Sequence, residues 1–235
     1  MILEAQGLAR AFGGLRAVDG VDFALRAGEI HALIGPNGAG KTTFVSLLSG
    51  RQRADAGTIR FDGADITRLP AHDRVARGIA YTFQITSIYA GLDVFANLAL
   101  AVQRQRGADL AADVRAAAAR VGLQDHLATR AGELSYGHQR LLEVGMGLAL
   151  QPRLLILDEP TQGLAAAEIA GFIALIRSLV PATTVLLIEH NMEVVMDLAQ
   201  RITVLNFGKV LATGSPEEIR ANPAVQAAYL GTPDA

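Results

Sequence analysis

Eight residues, GPNGAGKT at Gly35 to Thr42, constrain the possible folds of this chain more than any other stretch. They satisfy G-x-x-x-x-G-K-[ST] in full. The flanks agree, since the apolar run EIHALI enters the loop and the helix-compatible run TTFVSLLSG leaves it. In such a loop the glycines let the backbone close around phosphate groups, and the unpaired N–H groups of the following helix point at them. Lys41 then brings a point charge to the β- and γ-phosphates, and the Thr42 hydroxyl can ligate magnesium. The candidate phosphate contacts are Gly35, Pro36, Asn37, Gly38, Ala39, Gly40, Lys41, Thr42 and Thr43.

The pattern around the loop is an alternation. Strand-like apolar runs at Ile30 to Ile34, Leu154 to Leu157, Thr184 to Ile188 and Ile202 to Leu205 are separated by helical patterns, which predicts an α/β protein with a mostly parallel sheet. Short turn-bounded segments at Ile2 to Ala9, Val18 to Leu25 and Thr58 to Phe61 predict an antiparallel sheet at one side. From about Thr86 to Ala149 the strand signals fade and Ala/Leu-rich runs such as DLAADVRAAAARVGL predict an inserted helical part. The expected organisation is one domain over 1–235, with 1–85 and 150–235 forming the α/β core and 86–149 the helical subdomain. Near the end, Ser215, Pro216 and Glu218 of SPEEI form a capping-box signature, and Asn222 with Pro223 predicts a further helix to Tyr229.

Composition narrows the class. With 51% hydrophobic and 19% charged residues the chain is not disordered, and a net charge of -2 gives no basic footprint for nucleic acid. Zero cysteines exclude a disulfide framework and any thiolate metal site or nucleophile, which fits a reducing compartment. The start MILEAQGLAR carries no signal-peptide pattern, and no apolar run reaches the roughly 18 residues of a membrane helix. A soluble protein is expected, with any membrane role exercised through a partner.

Three further stretches carry chemistry. LLILDEP ends a buried-type strand in two carboxylates, and because side chains alternate along a strand Asp158 and Glu159 are expected to point apart. Alone they read as solvated strand-end residues. Beside the phosphate loop, Asp158 fits a magnesium ligand and Glu159 a base that orients or deprotonates water. His190 closes TTVLLIEH, and the ends of neighbouring parallel strands share the ligand crevice, so it can reach a γ-phosphate. His31, His72, His126 and His138 have no such context and receive no catalytic role. Phe12 reads as core or as a ring that stacks on a base. LSYGHQR, Leu134 to Arg140, reads by itself as a loop ending in a helix cap.

In order, GPNGAGKTT, TFQ, LSYGHQR, LLILDEP and IEH resemble the motifs of the ATP-binding subunits of ABC transporters across essentially the whole chain. The resemblance implies a P-loop ATPase of ABC type using ATP and Mg2+. It implies Gln84 as a glutamine that contacts magnesium and water and senses the membrane partner, Glu159 as catalytic base, His190 as switch histidine and Phe12 against adenine. Ser135 and Gly137 would then face the γ-phosphate on a second ATPase subunit, the same or a related chain, in a head-to-tail dimer. No glutamate or glutamine follows Ser135 by three residues, so the local donors are expected to remain available to an outside anion. Tyr136 and His138 stand where the family more often has glycine and glutamine, and Ala165 where many relatives carry a polar residue crossing the dimer interface.

Within the family, TFQITSIYAGLDVFANLAL and the ending GSPEEIRANPAVQAAYLG look most like the ATPases for uptake of branched-chain and other hydrophobic amino acids. The urea, amide and lipopolysaccharide systems are the alternatives. The implied setting is cytoplasmic, at the inner face of the membrane on permease subunits, with an external solute-binding protein acting indirectly and no nucleic acid. A non-transport ABC ATPase would show tandem cassettes or sustained heptads, which are missing here. A binding module that does not turn ATP over is opposed by intact Lys41, Asp158, Glu159 and His190.

Overall fold

The computed structural model describes residues 1–82, 87–103 and 109–230. Strands β1 (Leu3–Phe12), β2 (Leu15–Leu25), β4 (Ala56–Phe61) and β5 (Ala64–Asp65) form an antiparallel sheet in the order β2-β1-β4-β5. A second sheet has the order β10-β9-β3-β8-β7-β6, built from β3 (Ile30–Ile34), β6 (Ile79–Tyr81), β7 (Leu154–Asp158), β8 (Thr184–Ile188), β9 (Arg201–Asn206) and β10 (Lys209–Gly214). The β3, β6, β7, β8 and β9 pairings are parallel, and β10 is antiparallel to β9. The helices are α1 (Lys41–Leu48), α2 (Ala71–Ala76), α3 (Val94–Val102), α4 (Leu110–Arg120), α5 (Tyr136–Ala149), α6 (Ala166–Leu179), α7 (Met192–Leu198), α8 (Pro216–Ala221) and α9 (Pro223–Leu230).

Strand alternation divides the core. On β7, Leu154 and Ile156 join the antiparallel sheet and α1 in one apolar cluster, with Leu3, Leu8 and Phe44, while Leu155 and Leu157 face the helical side with Leu98, Leu142 and Phe172. Val185 and Leu187 against Leu186 and Ile188 repeat the division on β8. The central parallel strands β3, β7 and β8 are buried throughout, which is why they read as continuous apolar runs. The helical cluster also takes in Ile176 and Leu179 of α6, so α3, α4 and α5 share their core with the α/β part. In the α8 cap Ser215 Oγ accepts from Glu218 N, and Glu218 accepts from Ser215 N.

Three strands escaped sequence reading. β6 is three residues long, β5 is two, and β10 is only partly buried, so none carries a full period-2 pattern. Arg74 is another surprise, being 1% exposed. Its guanidinium donates to the Leu47 and Leu48 carbonyls at the end of α1 and to the Leu69 and Thr67 carbonyls, while burial pushes its pKa down to about 10.

Candidate functional site

The order β3-β8-β7-β6 brings the phosphate loop, His190, Asp158 with Glu159, and Tyr81 at the end of β6 to the carboxyl edge of one sheet, where open α/β folds bind ligands. Gly40 precedes α1 in the left-handed conformation, φ 98°, and a Cβ there would lie 2.1 Å from the Ala17 carbonyl oxygen. No other residue type fits that turn. Lys41 is 7% exposed and its Nζ donates to the Gly35 carbonyl at 2.7 Å and to that of Pro36 at 3.1 Å. Burial lowers its pKa, and the Glu159 and Asp158 carboxylates oppose that shift. Thr42 is exposed at the loop's end.

Asp158 and Glu159 diverge as expected, but for a different reason. β7 stops at Asp158, and Glu159 lies beyond the ladder at φ 49°, so a left-handed turn rather than strand alternation separates them. Asp158, 2% exposed, accepts from the Tyr81 hydroxyl at 2.6 Å. Burial raises the Asp158 pKa, with the Tyr81 bond acting against it, and the same burial lifts the Tyr81 hydroxyl well above its usual range. Glu159 Oε1 lies 2.6 Å from His190 Nε2. A carboxylate bonded to an imidazole at an exposed sheet edge, with a buried lysine beside it, can hold a water and take its proton.

Two buried residues that sequence reading passed over shape this turn. Arg140 of α5, 1% exposed, donates from Nη2 to the carbonyls of Glu159 at 2.8 Å and Asp158 at 3.3 Å, and from Nε to that of Pro160 at 3.2 Å. Its Nη1 pairs with Glu143 at 2.7 Å, and Glu143 in turn lies 3.4 Å from the Ser87 amide. Glu189 accepts from the amides of Thr161 and His190, both at 2.9 Å, tying the loop after β7 to the end of β8. The adjacent "IEH" motif was the available signal for Glu189. Arg140 had none beyond its place in LSYGHQR.

At the start of α5, Ser135 Oγ accepts from the His138 amide at 3.2 Å, so Ser135 is itself the N-cap. This corrects the expectation that all local donors stay available: the His138 N–H is taken, while the Ser135 hydroxyl proton can still be donated. Gly137 is buried against Glu168, and a Cβ there would lie 2.1 Å from Glu168 Oε1. Glu168 Oε2 accepts from the Ala165 amide, half of a capping box whose other half an alanine cannot make. The Tyr136 ring packs on Gly163, 3.0 Å from where a Cβ would stand. Phe12 ends β1 with its ring 42% exposed and the Arg10 guanidinium 4.8 Å from the centroid. Gln84 lies outside the described residues.

Among the described residues no group of three or more His, Cys, Asp or Glu is placed to hold a metal by itself. Magnesium binds through one or two carboxylates and the substrate's phosphates rather than in an all-protein cage. A single buried Asp158 and an exposed Thr42 are a suitable donor set for it.

Three of the four histidines without a site context pack against other side chains. His31 is fully buried, with Nε2 2.8 Å from Thr203 Oγ1 and its ring against Phe23. The His126 and His138 rings lie 4.7 Å apart.

Comparison with known proteins follows the same lines. Residues 18–162 match the ABC transporter family, and residues 209–235 match the branched-chain amino acid ATP-binding cassette transporter family. The chain is 39% identical to the high-affinity branched-chain amino acid transport ATP-binding protein BraF of Pseudomonas aeruginosa and 40% identical to LivG, of the same description, from Escherichia coli, covering 98% of both chains in each case. It is 34% identical to the lipopolysaccharide export system ATP-binding protein LptB of Haemophilus influenzae, over 98% of this chain and 97% of that one. Among solved structures, a nucleotide-free ATP-binding cassette from an ABC transporter superposes with a TM-score of 0.87 at 26% identity, over 98% of this chain and 99% of that one.

Proposed function

The chain belongs to the ABC transporter family as an ATP-hydrolysing subunit, and on that premise we propose that it energises uptake of branched-chain or other hydrophobic amino acids. The observation that carries the catalytic reading is the Glu159–His190 contact at 2.6 Å beside Lys41. Glu159 takes the proton of the water that attacks the γ-phosphorus, and His190 holds the carboxylate in place. Lys41 and the loop amides bind the phosphates, and Phe12 stacks on the adenine. Thr42 and Asp158, with Gln84 by resemblance, would hold magnesium. When bound, the cation neutralises charge on the β- and γ-oxygens.

The substrate class rests on the match of residues 209–235 and on the BraF and LivG relatives. LptB, at lower identity, is the counterpart for the export alternative. No described helix is long and apolar enough to cross a membrane. The transporter ATPases that it resembles support a reading in which the chain acts from the inner face through permease subunits. A groove of about 390 Å³ lined by Tyr81, Ser87, Tyr89, Leu100 and Met146 supports that docking, with Tyr89 58% and Leu100 47% exposed. Ser135 and Gly137 act on ATP held by a second ATPase subunit in a head-to-tail dimer.

The test is Glu159→Gln in the chain purified with its permease. Hydrolysis should fall about 10²- to 10⁴-fold while ATP binding persists, so unhydrolysed ATP should stay bound to the complex. Turnover near wild type removes Glu159 from the base role. Leucine, isoleucine or valine uptake into vesicles carrying the complex, lost in the variant, tests the substrate class.

A further inference from the structure

The hydrogen bond between Tyr81 and Asp158 has no part in the mechanism above, yet it is among the shortest contacts of the site at 2.6 Å. It joins residues 77 positions apart. The tyrosine is held in place on several sides: β6 pairs it with Ile156 of β7, its ring packs on the apolar cluster of the antiparallel sheet, and the Arg51 guanidinium stands 4.8 Å from the ring centroid. Arg51 follows closely on α1, the helix that begins with Lys41. The donor is therefore fixed relative to both halves of the phosphate site.

We propose that Tyr81 is a positioning residue of the divalent-cation site, its hydroxyl committing Oδ2 of Asp158 so that the other carboxylate oxygen is presented to the cation or its water. The proposal rests on Asp158 as the cation's protein ligand. A ligating carboxylate free to rotate loses part of its binding free energy to ordering, and outer partners that prevent this are worth about 10- to 100-fold in metal affinity. Phenylalanine at position 81 keeps the ring, its packing and the Arg51 guanidinium over the ring face, while deleting the hydroxyl that bonds Asp158 and also meets the Arg51 side chain.

The experiment measures the affinity of a fluorescent non-hydrolysable ATP analogue for the full chain in EDTA and in excess Mg2+. The ratio of the two affinities reads the cation's contribution. Wild type and Tyr81→Phe should bind the analogue equally in EDTA, and each variant's Mg2+ effect is read against its own affinity in EDTA. The Mg2+ ratio should fall about 10-fold in Tyr81→Phe and at least as far in Asp158→Asn. A ratio lowered in Asp158→Asn but unchanged in Tyr81→Phe overturns the Tyr81 role and leaves the metal assignment standing. Unchanged ratios in both overturn the metal assignment itself. Equal loss with and without Mg2+ in Tyr81→Phe marks a general packing role and also overturns the proposal.

Discussion

Replacing Arg140 by leucine should be among the most damaging single changes available in this chain. The guanidinium is 1% exposed, and it is ion-paired with Glu143, which is itself only 5% exposed. Removing one partner of a buried pair costs about 3–5 kcal/mol, because the other charge is left in a low-dielectric surround. At about 2–4 °C per kcal/mol for a chain of this size, that is roughly 6–20 °C in Tm. The carbonyls of Asp158, Glu159 and Pro160 lose a charged donor in the same step, so the turn carrying Glu159 loosens and ATP turnover falls with stability. Glu143→Leu should cost a comparable amount but leave those carbonyl contacts in place, so its turnover loss is smaller. The double variant should lie well short of the sum of the two singles, since it no longer buries an unpaired charge. Thermal denaturation of the four proteins, together with their ATPase rates, measures all of this. Additivity to within about 0.5 kcal/mol, the scatter found for independent sites, would refute the coupling.

Two other outcomes follow from the site and the core. Gly40→Ala places a methyl 2.1 Å from the Ala17 carbonyl in a left-handed turn, so it should cost about 1–3 kcal/mol in backbone strain before the clash is counted, and a calorimetric Tm equal to wild type would contradict the turn geometry. Burial lowers the His31 pKa below 6.5, so the neutral ring is the form that the fold favours and its contribution is complete above that pH and lost as pH falls through the folded pKa. The neighbouring Glu29 carboxylate and Arg201 modulate the shift, Glu29 titrates in its own window below 4.5, and Asp158, raised by burial, has the opposite sign. Denaturant titrations from pH 7.5 to 5 should therefore show wild type losing up to about 1.4 kcal/mol per pH unit more than His31→Gln, and parallel curves would remove His31 from the acid limb.

The large parallel strands were legible because burial on both faces leaves an uninterrupted apolar run: Ile30–Ile34 and Thr184–Ile188 have the boundaries read from sequence, and β7 extends one residue further to Asp158. The short edge elements were not, since three residues at Ile79–Tyr81 cannot establish a period and their strand state is imposed by pairing with β7. A single parallel pairing thus decides what local propensity leaves open.

For the site, legibility followed sequence distance. Residues whose role depends on neighbours in the same loop, Lys41 with Gly40 or Ser215 with Glu218, are visible as motifs because their spacing is the mechanism. Tyr81, Arg140 and Glu189 act on partners 77, 18 to 20, and 28 positions away, and no spacing rule connects them. The Glu159 turn shows what this distance hides. Read as a strand end, the Glu159 carboxylate needs nothing to orient it. In the folded chain it sits in a left-handed conformation of the kind that costs a non-glycine residue about 1–3 kcal/mol, and three elements bear on it: Arg140 from α5 on its carbonyl, Ile188 on its amide, and His190 on its carboxylate. A conformation held by several elements is set by their relative placement. Movement of α5 against β7 and β8 therefore shifts the Arg140 guanidinium on the Glu159 carbonyl, and with it the turn that aims the Glu159 carboxylate.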